Sequence, residues 1–134
     1  MFGSSKRPLD RFRYLRDVDS RPLRSNELPG DYVYVVDLDE TIHVAPNGPH
    51  MHPKVLGNAG SALYAGEISI AAPGEVDSVN NSSGTFRFKS QQSLCCVVLG
   101  LVRLGFRVHE AIWYTPDGSM RPQRLNCPAL EGSP

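Results

Sequence analysis

The chain has 134 residues, with 14 Lys and Arg against 14 Asp and Glu, and 40% of it is hydrophobic. That length and composition suit one domain with its own core. The zero net charge supplies no overall field toward nucleic acid or an anionic membrane, and no apolar run reaches the length of a membrane span, so neither is an expected partner.

Residues 1–30 contain Pro8, Pro22, Pro29 and Gly30, and they hold seven of the basic side chains against four acids. Leu9, Phe12, Leu15 and Val18 recur at helix-like spacing, and Asp10 can cap one short turn. We read an extended basic arm. Arg11, Arg13 and Arg16, interleaved with Phe12 and Tyr14, suit a protein partner with an acidic groove. The basic start is not followed by an apolar segment, so a secretory signal is not expected.

Residues 31–45, DYVYVVDLDETIHVA, are the clearest local signal. Two β-branched and aromatic runs flank an acidic break, which predicts a β-hairpin. Residues 46–53 are a loop rich in Pro, Gly and His. Residues 62–71 form a third expected strand, in which Gly66 marks a bulge or a close backbone approach. A Pro73-Gly74 turn leads to a fourth strand at 75–80. Polar residues 81–84 interrupt that strand before it resumes at 85–88.

Residues 90–104 read as a helix. Ser90 or Ser93 can cap it, and Leu94, Val97, Val98, Leu101 and Val102 make the core stripe. Cys95, Cys96 and Leu99 make the other side apolar too, so both flanks are expected to be covered. Gly105 suits the left-handed residue that ends helices, with Phe106 folding back. A fifth strand follows at 107–114, then a turn. Three prolines beyond it indicate an extended tail.

The expected fold class is therefore α+β: a small, mostly antiparallel sheet in the order ββββαβ with one core helix and extended termini. The organisation is a basic arm at 1–30, a single domain at 31–118 and a Pro-rich tail at 119–134. Cys95 and Cys96 are adjacent, Cys127 is distant, and no C-x-x-C spacing suits zinc. Reduced, buried thiols follow, in a protein that is cytoplasmic or delivered into a target cell's cytosol.

Three constellations can carry chemistry. VVDLDETI, at 35–42, resembles the first motif of haloacid dehalogenase-type phosphatases. That resemblance implies Asp37 as nucleophile and Asp39 as acid/base around magnesium, with Thr41 following. A later acidic pair and enough chain for a parallel sheet are absent, and a polar hairpin turn explains the same residues. Second, His50 and His52 at i, i+2 can share a metal, with His43 as a third ligand. A loop between prolines does not impose that geometry, so no metal site is expected. Third, residues 52–88 combine a polar loop, a glycine-interrupted strand bearing Glu67, and a run of hydroxyl and amide side chains.

This third stretch resembles a segment of plant IQ-motif calmodulin-binding proteins and of large bacterial polymorphic toxins and effectors. Their pattern runs His-Ser-Ser-x-Leu, a Gly-rich step, Ala-Ala-Gly-Glu, a strand, then Asn-x-Ser-Gly-His-Tyr. Here it maps onto His52, Leu56, Ala65-Gly66-Glu67, Asn81 and Ser83-Gly84, and the likeness covers about residues 32–106. Pro53-Lys54 stands in place of Ser-Ser, one residue is inserted before Ala-Gly-Glu, and Thr85-Phe86 replaces His-Tyr. The resemblance implies a shared fold and a toxin- or effector-like setting.

The reaction these residue types suit is glycosyl transfer or hydrolysis on NAD. His52 would hold a ribose, Tyr64 would stack nicotinamide, and Glu67 would stabilise a cationic transition state. Asn81, Ser83, Gly84 and Thr85 would bind the ligand. NAD is accordingly the cofactor or substrate to test. A non-catalytic interaction module using residues 1–30 stands beside this reading, with the phosphatase as a third.

Overall fold

The computed structural model describes residues 20–46, 62–82, 90–115 and 121–132. The fold class is α+β as expected: one helix lies against a sheet of eight strands among the described residues. In chain order the strands are β1 (Arg21–Pro22), β2 (Gly30–Asp37), β3 (Ile42–Pro46), β4 (Ala62–Ala72) and β5 (Glu75–Asn80). Helix α1 (Gln91–Arg103) follows, then β6 (Arg107–Val108), β7 (Ala111–Trp113) and β8 (Gln123–Arg124).

The hairpin predicted at 31–45 is β2–β3. Its neighbours run antiparallel, and the sheet order is β1-β3-β2-β4-β5-β7-β8, with β6 also on β5. Strand β2 is apolar at every position from Tyr32 to Val36 because both of its faces are buried. Tyr32, Tyr34 and Val36 face the helix, whereas Val33 and Val35 join Ala45, Ala62 and Ala65 in a second cluster. That division is the period-two alternation of a strand.

The pairing after β5 corrects the expectation of sequential antiparallel strands. Both β6 and β7 run parallel to β5, so α1 is a crossover helix. Lengths explain it. A 13-residue helix covers about 20 Å, close to the rise of the six-residue β5, so the helix returns the chain to the end where β5 began. The single strand expected at 107–114 is split into β6 and β7 by His109 and Glu110.

The helix seats Leu94, Val97, Val98 and Leu101 in the main core. Val102, placed in that stripe by its spacing, is instead 37% exposed, and Leu99 is 40% exposed, so the outer flank is not covered as expected. Ser90 occupies the N-cap position without a side-chain cap bond. At the other end Gly105 has φ +106°, Phe106 N–H donates to Leu101 O, and Gly105 N–H donates to Val102 O. This is the doubly bonded C-terminal motif expected of a glycine at that place, with Phe106 buried beside it.

Both chain segments read as appendages enter the fold where they are described. Arg21 and Pro22 pair with β3, and Leu23 is buried. The Arg21 guanidinium bonds the buried Glu27 carboxylate and lies 5.7 Å from the Tyr32 ring centre. Arg11, Phe12, Arg13, Tyr14 and Arg16 fall outside the described residues. In the tail, β8 pairs with β7, while Leu125 and Cys127 are buried.

The cysteine expectation is corrected. Cys95 on α1 and Cys127 form a disulfide across 32 positions, and Cys96 is a free, exposed thiol. Spacing along the chain could not show this, because only the crossover of α1 and the return of the tail bring the two sulfurs together. No helix among the described residues is long and apolar enough to cross a membrane.

Candidate functional site

The site begins with a glycine. A Cβ on Gly66 would lie 2.0 Å from Asn80 O and 2.9 Å from Tyr34 Cε2, so only glycine lets β4 meet the end of β5 there. Further along β4, away from Gly66, the pairing with β5 is irregular, with register shifts around Ile70. The buried Tyr34 hydroxyl donates to the same Asn80 carbonyl at 2.7 Å. Burial raises the Tyr34 pKa well above its usual range, so this hydroxyl stays a donor.

With its main chain locked, Asn80 directs its side chain at Glu67. Asn80 Oδ1 accepts from the Glu67 and Ser82 N–H groups, each at 2.9 Å, and Asn80 Nδ2 donates to Glu67 Oε1 at 3.2 Å. Glu67 lines a groove of about 220 Å³ with Asp31, Ser69, Ser78 and Asn80. The register explains the grouping. Asp31 lies opposite Ser69, and Ser69 opposite Ser78, so the five side chains occupy one face of three adjacent strands. Asp31 and Glu67 are diagonal neighbours, for which Cα separations are about 7–8 Å. Two carboxylates, two hydroxyls and an amide suit a ligand rich in hydroxyl groups or partial positive charge.

Of the residues predicted from sequence, Glu67 lines this groove. His52, Ser83, Gly84 and Thr85 lie outside the described residues, as does His50. Tyr64 does not share the groove. It packs on the helix-side cluster, and its phenol pKa is raised first by burial and then by the neighbouring Cys96 and Glu40. Tyr64 and Glu67 are three positions apart within one strand, an odd separation that sends them to opposite faces. The stacking role read for Tyr64 beside Glu67 is thereby corrected. The same parity links Glu67 to Ser69 and is the signal that would have found Ser69, whereas Ser78 joins them through the β4–β5 register. Asp31 had no comparable signal, because its position depends on the β2–β4 register.

Asn81, read as a ligand-binding residue, is a clasp. Its Nδ2 donates to Tyr114 O and its Oδ1 accepts from Tyr114 N–H, both at 2.8 Å, and the side chain is buried. These bonds extend the β5–β7 pairing beyond the last main-chain partner and leave little of the amide for a ligand.

The Asp37 carboxylate is likewise occupied. Its Oδ1 accepts from Asp39 N–H and Thr41 N–H, and its Oδ2 from His43 Nε2 at 2.8 Å. Burial on its own raises this carboxyl's pKa. The hydrogen bonds from His43, Thr41 and Asp39, with the His43 charge, outweigh burial and hold it below the usual carboxylate value. Asp37, Asp39 and Thr41 thus form a hairpin turn between antiparallel strands, and this geometry lends the phosphatase reading no support. Compared with protein families, curated proteins and solved structures, the chain matches none.

Proposed function

We propose that this protein is a small effector-type domain that binds a ribose- or sugar-bearing ligand in the Glu67 groove and acts on its glycosidic bond. The observation that carries the reading is the Glu67 carboxylate, steered by the Asn80 amide into a groove that a second carboxylate, Asp31, also lines. A fixed carboxylate stabilises an oxocarbenium-like transition state electrostatically, and a second one nearby can take a proton from water. Ser69 and Ser78 are suited to ribose hydroxyls. Tyr64, across the sheet, takes no part.

NAD is the substrate to try first. Hydrolysis would break the bond between ribose C1′ and the nicotinamide nitrogen. Water would add its oxygen to C1′, and nicotinamide would leave as the neutral base with release of one proton. The Cys95–Cys127 bridge supports an effector that passes through an oxidising compartment during secretion or delivery.

Incubation with NAD, followed by chromatography for nicotinamide, tests this. Wild-type protein should release nicotinamide, and Glu67→Gln should slow release by about 100-fold while remaining folded. If the wild-type chain neither turns over NAD nor gains thermal stability from it or from sugar nucleotides, the reading is wrong.

A further inference from the structure

A second concavity lies on the helix side of the sheet, away from the Glu67 groove. It is a cleft of about 340 Å³ between the β2–β3 turn and α1, and its walls include Leu23, Glu40, Ile42, Cys96, Arg103 and Leu104. That volume lies within the range of small-molecule sites. Two positions in it run against local preference. Glu40 has φ +65°, a left-handed conformation uncommon outside glycine and asparagine, yet the position carries a carboxylate. Gly100 lies inside α1, where glycine is a poor helix former, yet no close contact requires it there. A Cβ at that position would meet nothing nearer than Ile42 Cδ1 at 3.7 Å, an ordinary contact. A glutamate where the backbone favours glycine supplies a charge to the cleft. A glycine where the helix disfavours one leaves the cleft open.

Glu40 and Arg103 both line the cleft and make no ion pair with each other or with another described residue. Leu23, Ile42 and Leu104 line the same cleft and provide its apolar surface. We propose that the cleft binds a small zwitterion with an apolar body, of the amino-acid or dipeptide class. The carboxylate of the ligand meets Arg103, which suits a planar anion, and its ammonium meets Glu40. The apolar side chain fills the space that Gly100 leaves. Cys96, the free thiol on the wall, serves as a built-in reporter.

The test uses the whole chain and leucyl-leucine at millimolar concentration, read by melting temperature, calorimetry and the rate of Cys96 alkylation by iodoacetamide. The dipeptide should raise the melting temperature and slow alkylation. N-acetyl-leucyl-leucine amide, which lacks both charges, should do neither. Glu40→Gln and Arg103→Gln, both at exposed positions, should each weaken binding roughly tenfold. Gly100→Leu should abolish binding, and Gly100→Ala should retain it with reduced affinity. Failure of the dipeptide to bind, equal binding of the blocked derivative, or undiminished affinity in Arg103→Gln would each overturn the proposal. Because the cleft and the Glu67 groove share no residue, either reading can fail without the other.

Discussion

Individual side chains here are locked by contacts that leave little tolerance. Gly66→Ala forces a Cβ into the Asn80 carbonyl, and backbone cannot yield as a side-chain tip would. We expect a loss of about 3 kcal/mol or more in urea unfolding, well above an ordinary glycine substitution in a strand. Tyr34→Phe removes the donor to Asn80 O and should cost about 1–3 kcal/mol, the range for a buried acceptor left without its partner. For Asp37 the sign follows from its lowered pKa. The stabilisation is present above about pH 4, the unfolded carboxyl range, and fades as pH falls through the lower folded value. Asp37→Asn should therefore be less stable than wild type by about 1–2 kcal/mol near neutrality, with the gap closing at more acidic pH. A constant gap across that pH range in denaturation curves would contradict this account.

Among the elements, α1 and the β4–β5 hairpin carry the arrangement. The helix is held by one buried stripe, and its C-terminus is closed by the Gly105 bonds. Leu101→Ala should cost about 2–5 kcal/mol by the cavity it leaves. Gly105→Ala should cost about 1–2 kcal/mol, because its φ of +106° strains any L side chain. The hairpin positions chemistry by parity and register. Residues 67 and 69 and residues 78 and 80 share one face only because β4 and β5 pair Ser69 with Ser78. A single-residue slip would send Glu67 to the helix side.

In the whole molecule, the disulfide joins the last described segment to the crossover helix. Reduction, or Cys127→Ser, should lower stability by about 3–4 kcal/mol on the chain-entropy account of a loop this long. Among the described residues β8 pairs with β7 alone, and it lies three positions before Cys127, so cutting the bridge should open it first. Hydrogen exchange at Leu125 N–H, which donates to Ala111 O, should then accelerate before exchange in β2 or β4 does. Uniform acceleration across the sheet would show that the bridge does not act locally.

Local pattern determined much of this protein by itself. The hairpin at 31–45, the strands at 62–71 and 75–80, the helix and its glycine stop are all set by residue types over short spans, where propensity and periodicity act directly. The close approach at Gly66 was legible too, since an isolated glycine in a strand often marks one. Tertiary structure alone decided the parallel return after α1, the Cys95–Cys127 bridge, the outward turn of Val102 and the use of Asn81 as a clasp on Tyr114. Each depends on which segments become neighbours across 30 or so positions. Spacing along a chain carries no distance in space until the crossover has chosen its strand.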